Sequence, residues 1–211
     1  MTDFIYDGAA AAKATLLLAH GAGAPMDSDW MNTVAAKVAG HGIRVARFEF
    51  GYMAARRIGN RPPPSPANKL IGEYVGAIAG VERSGRLFIG GKSLGGRMAS
   101  MIADKQFKDG AIAGLACLGY PFHPPGQPEK LRTDHLEKLV CPTLICQGER
   151  DPFGTREEVA AYPLSPKIGV ECLTDGDHDL KPRKASGATF DGNLDIAAKA
   201  VADFMLGAAD D

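Results

Sequence analysis

The stretch FIGGKSLGGRMA, Phe88 to Ala99, holds the residues best suited to chemistry, and it supports two incompatible readings. Gly91-Lys92-Ser93 reads as the end of a phosphate-binding loop, whereas Gly91-x-Ser93-x-Gly95 reads as the turn that presents a nucleophilic serine. A phosphate loop requires G-x-x-x-x-G-K-[ST], with its glycine-rich part already turned away from the strand. Its first glycine would fall at Arg86, Gly85 is one position out, and Leu87-Phe88-Ile89 belong inside a strand. A dinucleotide fingerprint starting at Gly21-Ala22-Gly23 fails as well, because its third glycine would be Met26. Both nucleotide-binding patterns fail.

The serine reading has the right context. A strand over 86–91 runs into Lys92-Ser93-Leu94, and Gly95-Gly96 open a helix, the setting in which this pentapeptide exposes its hydroxyl at the carboxyl end of a sheet. Glycines flank the serine because a side chain there would collide in so tight a turn. In a chain with 26 glycines the pattern alone is weak, and its weight comes from an acid and a histidine further along the chain. Asp151, in GERDPFG, and then His178, in DGDHDL, each come after a different apolar run. Serine, acid and histidine in that chain order, each after its own strand, form the triad of a parallel sheet. His178 would take the serine proton and return it to the leaving group, while Asp151 fixes the imidazole tautomer. Glu149 shares the loop of Asp151 and is the alternative acid. Upstream, His20-Gly21-Ala22-Gly23 ends the first core run, and the N–H groups of Ala22 and Leu94 would hold an oxyanion.

The other polar residues read more plainly. His20 braces its loop by hydrogen bonding, His41 and His135 carry no signal, and His123 lies in a surface loop. Asp175, Asp177 and Asp179 have the spacing that opens a calcium loop, but Leu180 and Ser186 stand where glycine and glutamate are needed. Lys92 reads as a surface or supporting residue and not as a base. No metal and no organic cofactor is expected.

These groups need elements to position them. Strand-like runs lie at 15–20, 43–50, 86–91, 112–120, 142–148 and 168–173, with an edge strand at 3–6, and several are almost continuously apolar, as parallel strands covered on both faces are. Helical patterns fall near 28–40, 67–80, 94–105, 155–161 and 193–207. The alternation predicts an α/β fold with a mostly parallel, doubly wound sheet of about six to seven strands. The segment 121–141 is too short for a lid, RPPPSP at 61–66 is a stiff surface loop, and residues 1–211 read as one domain.

A net charge of −1 excludes nucleic acid and acidic membrane surfaces as obvious partners. Four cysteines without CxxC spacing read as small buried hydrophobes in a reducing compartment. The run TLLLA is too short to span a membrane and wrongly placed for a signal peptide, so a cytoplasmic location is expected. Nothing in the sequence selects an oligomeric state.

In this order and spacing, HGAGAPMDSDWM, FIGGKSLGGRMA, TLICQGERDPFG and GDHDL resemble the α/β-hydrolase superfamily, and most of all its small lid-less bacterial branch, labelled dienelactone-hydrolase-like. The resemblance runs from about Thr15 to the last helix. It implies Ser93 as nucleophile, Asp151 as acid, His178 as base, and Ala22 and Leu94 at the oxyanion positions. Position 93 is serine where true dienelactone hydrolases use cysteine, which favours an esterase-like activity. The N-terminus is also short for the antiparallel strands that open the family's sheet. Relatives that keep the shell as a binding or scaffold module supply the alternative, non-catalytic reading.

The expected reaction is acyl transfer to water through an acyl-enzyme, on a small-molecule ester or thioester in an open cleft. Met26, Trp30, Tyr52, Met53, Phe122 and Phe153 are its candidate walls. Arg56, Arg57 and Arg61, in the proline-rich loop after the second core strand, would favour a short, anionic acyl substrate.

Overall fold

The computed structural model describes residues 2–207. Its strands β1 (Phe4–Asp7), β2 (Ala14–Ala19), β3 (Arg44–Phe48), β4 (Arg86–Lys92), β5 (Gly114–Leu118), β6 (Thr143–Gly148) and β7 (Ile168–Leu173) form one sheet in the order β1-β3-β2-β4-β5-β6-β7. All neighbours are parallel except β1, which pairs antiparallel with β3 from Phe4↔Phe48 to Asp7↔Val45. The N-terminus therefore supplies one antiparallel strand at the sheet edge.

The apolar runs are buried on both faces because helices cover both. Leu17, Ile89, Leu115 and Ile145 point to the side of α3 (Ala67–Gly80) and α4 (Leu94–Lys108), where Tyr74, Met98 and Ile102 meet them. Leu16, Leu18, Phe88 and Ala116 alternate to the opposite side, against α1 (Asp29–Gly40) and α6 (Phe190–Gly207). This is the period-two division that a doubly wound sheet imposes. A short α5 (Arg156–Ala161) starts at a capping box in which Thr155 and Glu158 satisfy each other's backbone N–H groups. The segment 121–141 runs through turns and forms no lid. No helix among the described residues is long and apolar enough to cross a membrane.

One element departs from the sequence expectation. Gly51–Arg57 forms a helix, α2, where the sequence reads as loop. Its N-cap is Phe50, which offers no side-chain acceptor, so no start signal marks it. Arg56 and Arg57 consequently sit on the last turn of α2, and only Arg61 lies in the extended proline-rich stretch.

Strands β2 and β4 carry the candidate site, and a buried tyrosine ties them together. The Tyr74 hydroxyl lies 2.6 Å from Gly90 O and 3.0 Å from Leu17 O, and it accepts from Gly90 N–H at 3.0 Å. Burial pushes its pKa well up, so it stays a phenol and keeps its proton to donate. Replacing Tyr74 with Phe removes the hydroxyl's bonds to Gly90 and Leu17 in a fully buried place. We expect the variant to fold with stability lower by about 1–3 kcal/mol in urea denaturation; an unchanged midpoint would contradict this role.

Candidate active site

Ser93 sits between β4 and α4 with φ 50° and ψ −113°, in the left-handed half of backbone space that a residue with a side chain rarely enters. The surrounding glycines permit it. A Cβ on Gly91 would lie 2.5 Å from the Gly95 carbonyl carbon, and one on Gly95 would lie 2.6 Å from Ala19 O. A Cβ on Gly96 would meet Gly91 O at 2.7 Å. The strand, turn and helix are thus pressed together until no side chain fits between them. Ser93 N–H donates to Leu118 O at 3.0 Å, and Ser93 O accepts from Arg97 N–H, so the turn is tied to β5 and to the first turn of the helix.

The strained turn aims the hydroxyl at His178. Ser93 Oγ is 2.8 Å from His178 Nε2, and His178 Nδ1 is 2.8 Å from Asp151 Oδ2. Asp151 is fully buried, its Oδ1 accepting from Phe153 N–H at 2.8 Å and its Oδ2 from Gln147 Nε2 at 3.0 Å. Two protein donors besides the imidazole therefore face a carboxylate with no access to water. An acceptor-only group beside Nδ1 requires the proton on Nδ1, which leaves Nε2 free to accept from Ser93. The Phe153 ring covers the imidazole, with centroids 4.1 Å apart. Glu149 does not take part: it accepts from Asp175 N–H at 2.8 Å and pairs with Arg156.

Gln147 is a site residue that the sequence did not reveal. Besides holding Asp151, its amide donates to Gly154 O and Tyr120 O, and its carbonyl accepts from Tyr120 N–H. Its only sign in the sequence is a lone amide near the end of the apolar run TLICQG.

The turn after β2 is braced from below. His20 Nε2 accepts from Phe50 N–H at 3.1 Å and Nδ1 donates to Gly21 O at 2.6 Å, an arrangement available only to the neutral imidazole. Burial lowers its pKa in keeping with that state. The Tyr52 hydroxyl lies 3.2 Å from both Gly21 O and Ala22 O. Ala22 lines the cleft, and Leu94 is the first residue of α4, where a backbone N–H has no acceptor within its own helix.

A cleft of about 550 Å³ opens over Ser93 and His178, walled by residues 21–24, Trp30, Met31 and Phe153. Of the expected walls, Trp30 and Phe153 are there, whereas Met26, Tyr52, Met53 and Phe122 are not among its lining. Tyr52 and Met53 point inward from α2 and are buried. Tyr52 lies under the Gly21–Ala22 turn, and burial pushes its pKa up to about 12. Met26 is buried and faces a separate cavity that includes Glu49 and Glu73. Phe122 is fully buried against Tyr120 and Tyr162. Met31, on α1 beside Trp30, is a wall that the sequence did not reveal.

Arg56, Arg57 and Arg61 line a neighbouring cavity of about 390 Å³ that shares Gly23 with the cleft. Arg57 is already paired with Asp27 and Glu49, while Arg56 donates to Pro62 O and lies over the Tyr52 ring. Three further residues lie outside the cleft chemistry or beside it. His123 is buried, not on the surface, with Nδ1 at Pro124 O and Nε2 facing Glu158. His135 meets Ser100 Oγ at 2.8 Å, but Ser100 is buried within α4 and also donates to Arg97 O, so this hydroxyl is not exposed to a substrate. Lys92 is buried as well.

The chain matches the family described as alpha/beta hydrolase domain over residues 12–206. Its fold is similar to that of Est1E from Butyrivibrio proteoclasticus, with a TM-score of 0.70 and 14% identity, covering 100% of this chain and 95% of that one. It is similar to dienelactone hydrolase from Anabaena variabilis, with a TM-score of 0.72 and 17% identity over 98% and 91% of the two chains. A serine hydrolase without a lid from Xanthomonas campestris gives a TM-score of 0.64 and 16% identity over 95% and 89%.

The loop carrying His178 is held by a second set of charges. Arg183 beside Asp175 brings that carboxyl down to about 2, with desolvation opposing the shift. Because the folded value lies below that of a free aspartate, this carboxylate stabilises the fold above about pH 4 and ceases to as pH falls through about 2. We expect the stability gap between the protein and an Arg183→Met variant, measured by denaturation, to be constant near neutrality and to narrow from about pH 4 to about pH 2. A gap that stays constant across that window would contradict the assignment.

Proposed function

This chain belongs to the alpha/beta hydrolase domain family, and from that premise we propose that it is a serine hydrolase of the carboxylesterase type, acting on small esters or thioesters. The observation that carries the reading is the unbroken series Ser93 Oγ, His178 Nε2, His178 Nδ1 and Asp151 Oδ2, with both links at 2.8 Å, at the floor of a cleft.

In this reading Ser93 Oγ attacks the acyl carbon as its proton passes to His178 Nε2, and Asp151 stabilises the resulting imidazolium. The Ala22 and Leu94 N–H groups receive the oxyanion, helped by the positive end of the α4 dipole. Collapse of the tetrahedral species returns the proton to the leaving alcohol or thiol and leaves an ester on Ser93. Water, deprotonated by the same imidazole, then releases the acid and restores the serine. Every proton that leaves an oxygen goes to Nε2 and comes back from it, so no further reactant is needed beyond water.

Cleft size and lining refine the substrate. About 550 Å³ walled by Trp30, Met31 and Phe153 suits a short acyl chain. The arginine-lined cavity across Gly23 favours a carboxylate on the same substrate, with Arg56 and Arg61 as its partners because Arg57 is already neutralised.

The test is a series of p-nitrophenyl esters from acetyl to decanoyl, with a succinyl hemiester as the anionic member. We expect kcat/KM to be highest for the short chains, and Ser93→Ala to lower kcat by at least about 10³-fold. Asp151→Asn should lower it by on the order of 10²–10⁴, since the asparagine amide favours the wrong imidazole tautomer. Arg56→Ala should raise KM for the hemiester and leave the neutral acetyl ester unaffected. Activity confined to long chains, or unchanged in Ser93→Ala, would overturn the reading.

A further inference from the structure

Lys92 immediately precedes Ser93 and is the last residue of β4. Its side chain is 8% exposed. A buried ammonium is costly unless its hydrogens are matched, and here each has an electron-rich neighbour. Nζ donates to the main-chain oxygen of His178 at 2.6 Å, pairs with Asp179 Oδ1 at 3.2 Å, and lies 5.4 Å from the centre of the Trp30 ring. Trp30 in turn donates its indole N–H to Asp179 O at 3.0 Å. The backbone leaves room for this: at Gly119, with φ 63°, a Cβ would come 2.8 Å from His178 O and 3.2 Å from Lys92 Nζ.

The arrangement rules out two simpler roles. A general base needs a lone pair facing the reaction, but Nζ is spent as a donor to a carbonyl and a carboxylate. A ligand for anionic substrate needs an uncommitted charge, and this one is already held by the Asp179 carboxylate and the His178 carbonyl. The side chain instead connects the strand that delivers Ser93, the loop that delivers His178 and the helix that walls the cleft.

We propose that Lys92 is a positioning residue, a strap that fixes His178 by its main-chain carbonyl relative to Ser93 on the neighbouring backbone. This rests on the serine-hydrolase reading for its effect on turnover, but the strap itself is a structural claim that can be tested without it. Ser93 and His178 reach each other from β4 and from the loop after β7, and their side-chain contact alone does not set the height of that loop. One bond from Lys92 to the histidine's own carbonyl does so within two bonds of its Cα. Burial lowers the lysine's pKa, and Asp179, with Asp151 and Asp177 beyond it, opposes the shift.

Two readouts separate the outcomes. Trp30 is the chain's single tryptophan and lies beside Lys92 Nζ, so its fluorescence reports on this contact and on solvent access to it. In Lys92→Met, of similar length and suited to a buried site, we expect a shifted Trp30 emission and several-fold stronger acrylamide quenching. Asp179→Asn, at a residue whose side chain is 64% exposed and whose substitution therefore leaves folding intact, should move the emission in the same direction by less. On the acetyl ester, Lys92→Met should lower kcat by on the order of 10²-fold with KM within about twofold, the mark of misplaced groups and not of a lost contact. A change in KM with kcat intact would overturn the proposal and assign Lys92 to substrate binding. Unchanged fluorescence in both folded variants would overturn it too. If the unaltered protein hydrolyses no ester, the serine-hydrolase reading fails, while the fluorescence comparison still decides whether the strap exists.

Discussion

Much of this structure depends on how closely the first turn of α4 approaches the end of β2. Ala19 O lies 2.6 Å from where a Gly95 Cβ would be and 2.8 Å from where a Gly91 Cβ would be. Only chains with glycine at both places can bring the helix start that near the sheet. The nearness forces Ser93 into a positive φ and turns its hydroxyl out of the sheet. It also brings the α4 N-terminus beside the Gly21–Ala22 turn. Fold and candidate chemistry therefore share one cause, the removal of side chains from a single contact between three backbones.

A second constraint works on the other side of the site. Asp151 has no exposure to water, and a buried carboxylate is tolerable only when donors surround it. Gln147, Phe153 N–H and His178 supply them. The same amide of Gln147 binds the loops at Tyr120 and Gly154, so the acid is held by the groups that shape the loops after β5 and β6. The loop after β7 is held by Asp175 with Arg183, by Asp177 to the N–H groups of Asp179 and Lys181, and by Lys92. The acidic run that spaces like part of a calcium loop is thus occupied in shaping its own turn.

Legibility in the sequence tracks how local each determinant is. The strands are readable because burial on both faces leaves continuous apolar runs, and the positions of Ser93, Asp151 and His178 are readable because each comes after such a run. The helix Gly51–Arg57 is not, since its N-cap Phe50 carries no capping group. One miss leads to another: without α2, nothing indicates that Tyr52 and Met53 turn inward, and the sequence places both in the cleft. Gln147 and Lys92 escape notice as buried polar residues for another reason. Their partners lie on other strands and loops, and no spacing within one segment encodes such a meeting. His123 is misread in the same way, because its N–H donates to Phe153 O and its ring faces Glu158 on α5, both far along the chain.

The central claim is that Ser93 is a nucleophile activated by His178, and an activity-based fluorophosphonate probe addresses it without requiring the natural substrate. The protein is treated with the probe, digested, and the adduct located by peptide mass spectrometry, with Ser93→Ala and His178→Ala treated in parallel. We expect one adduct, on Ser93, absent from both variants. No adduct on folded protein, or an adduct on Ser93 that forms as fast without His178, would contradict the claim.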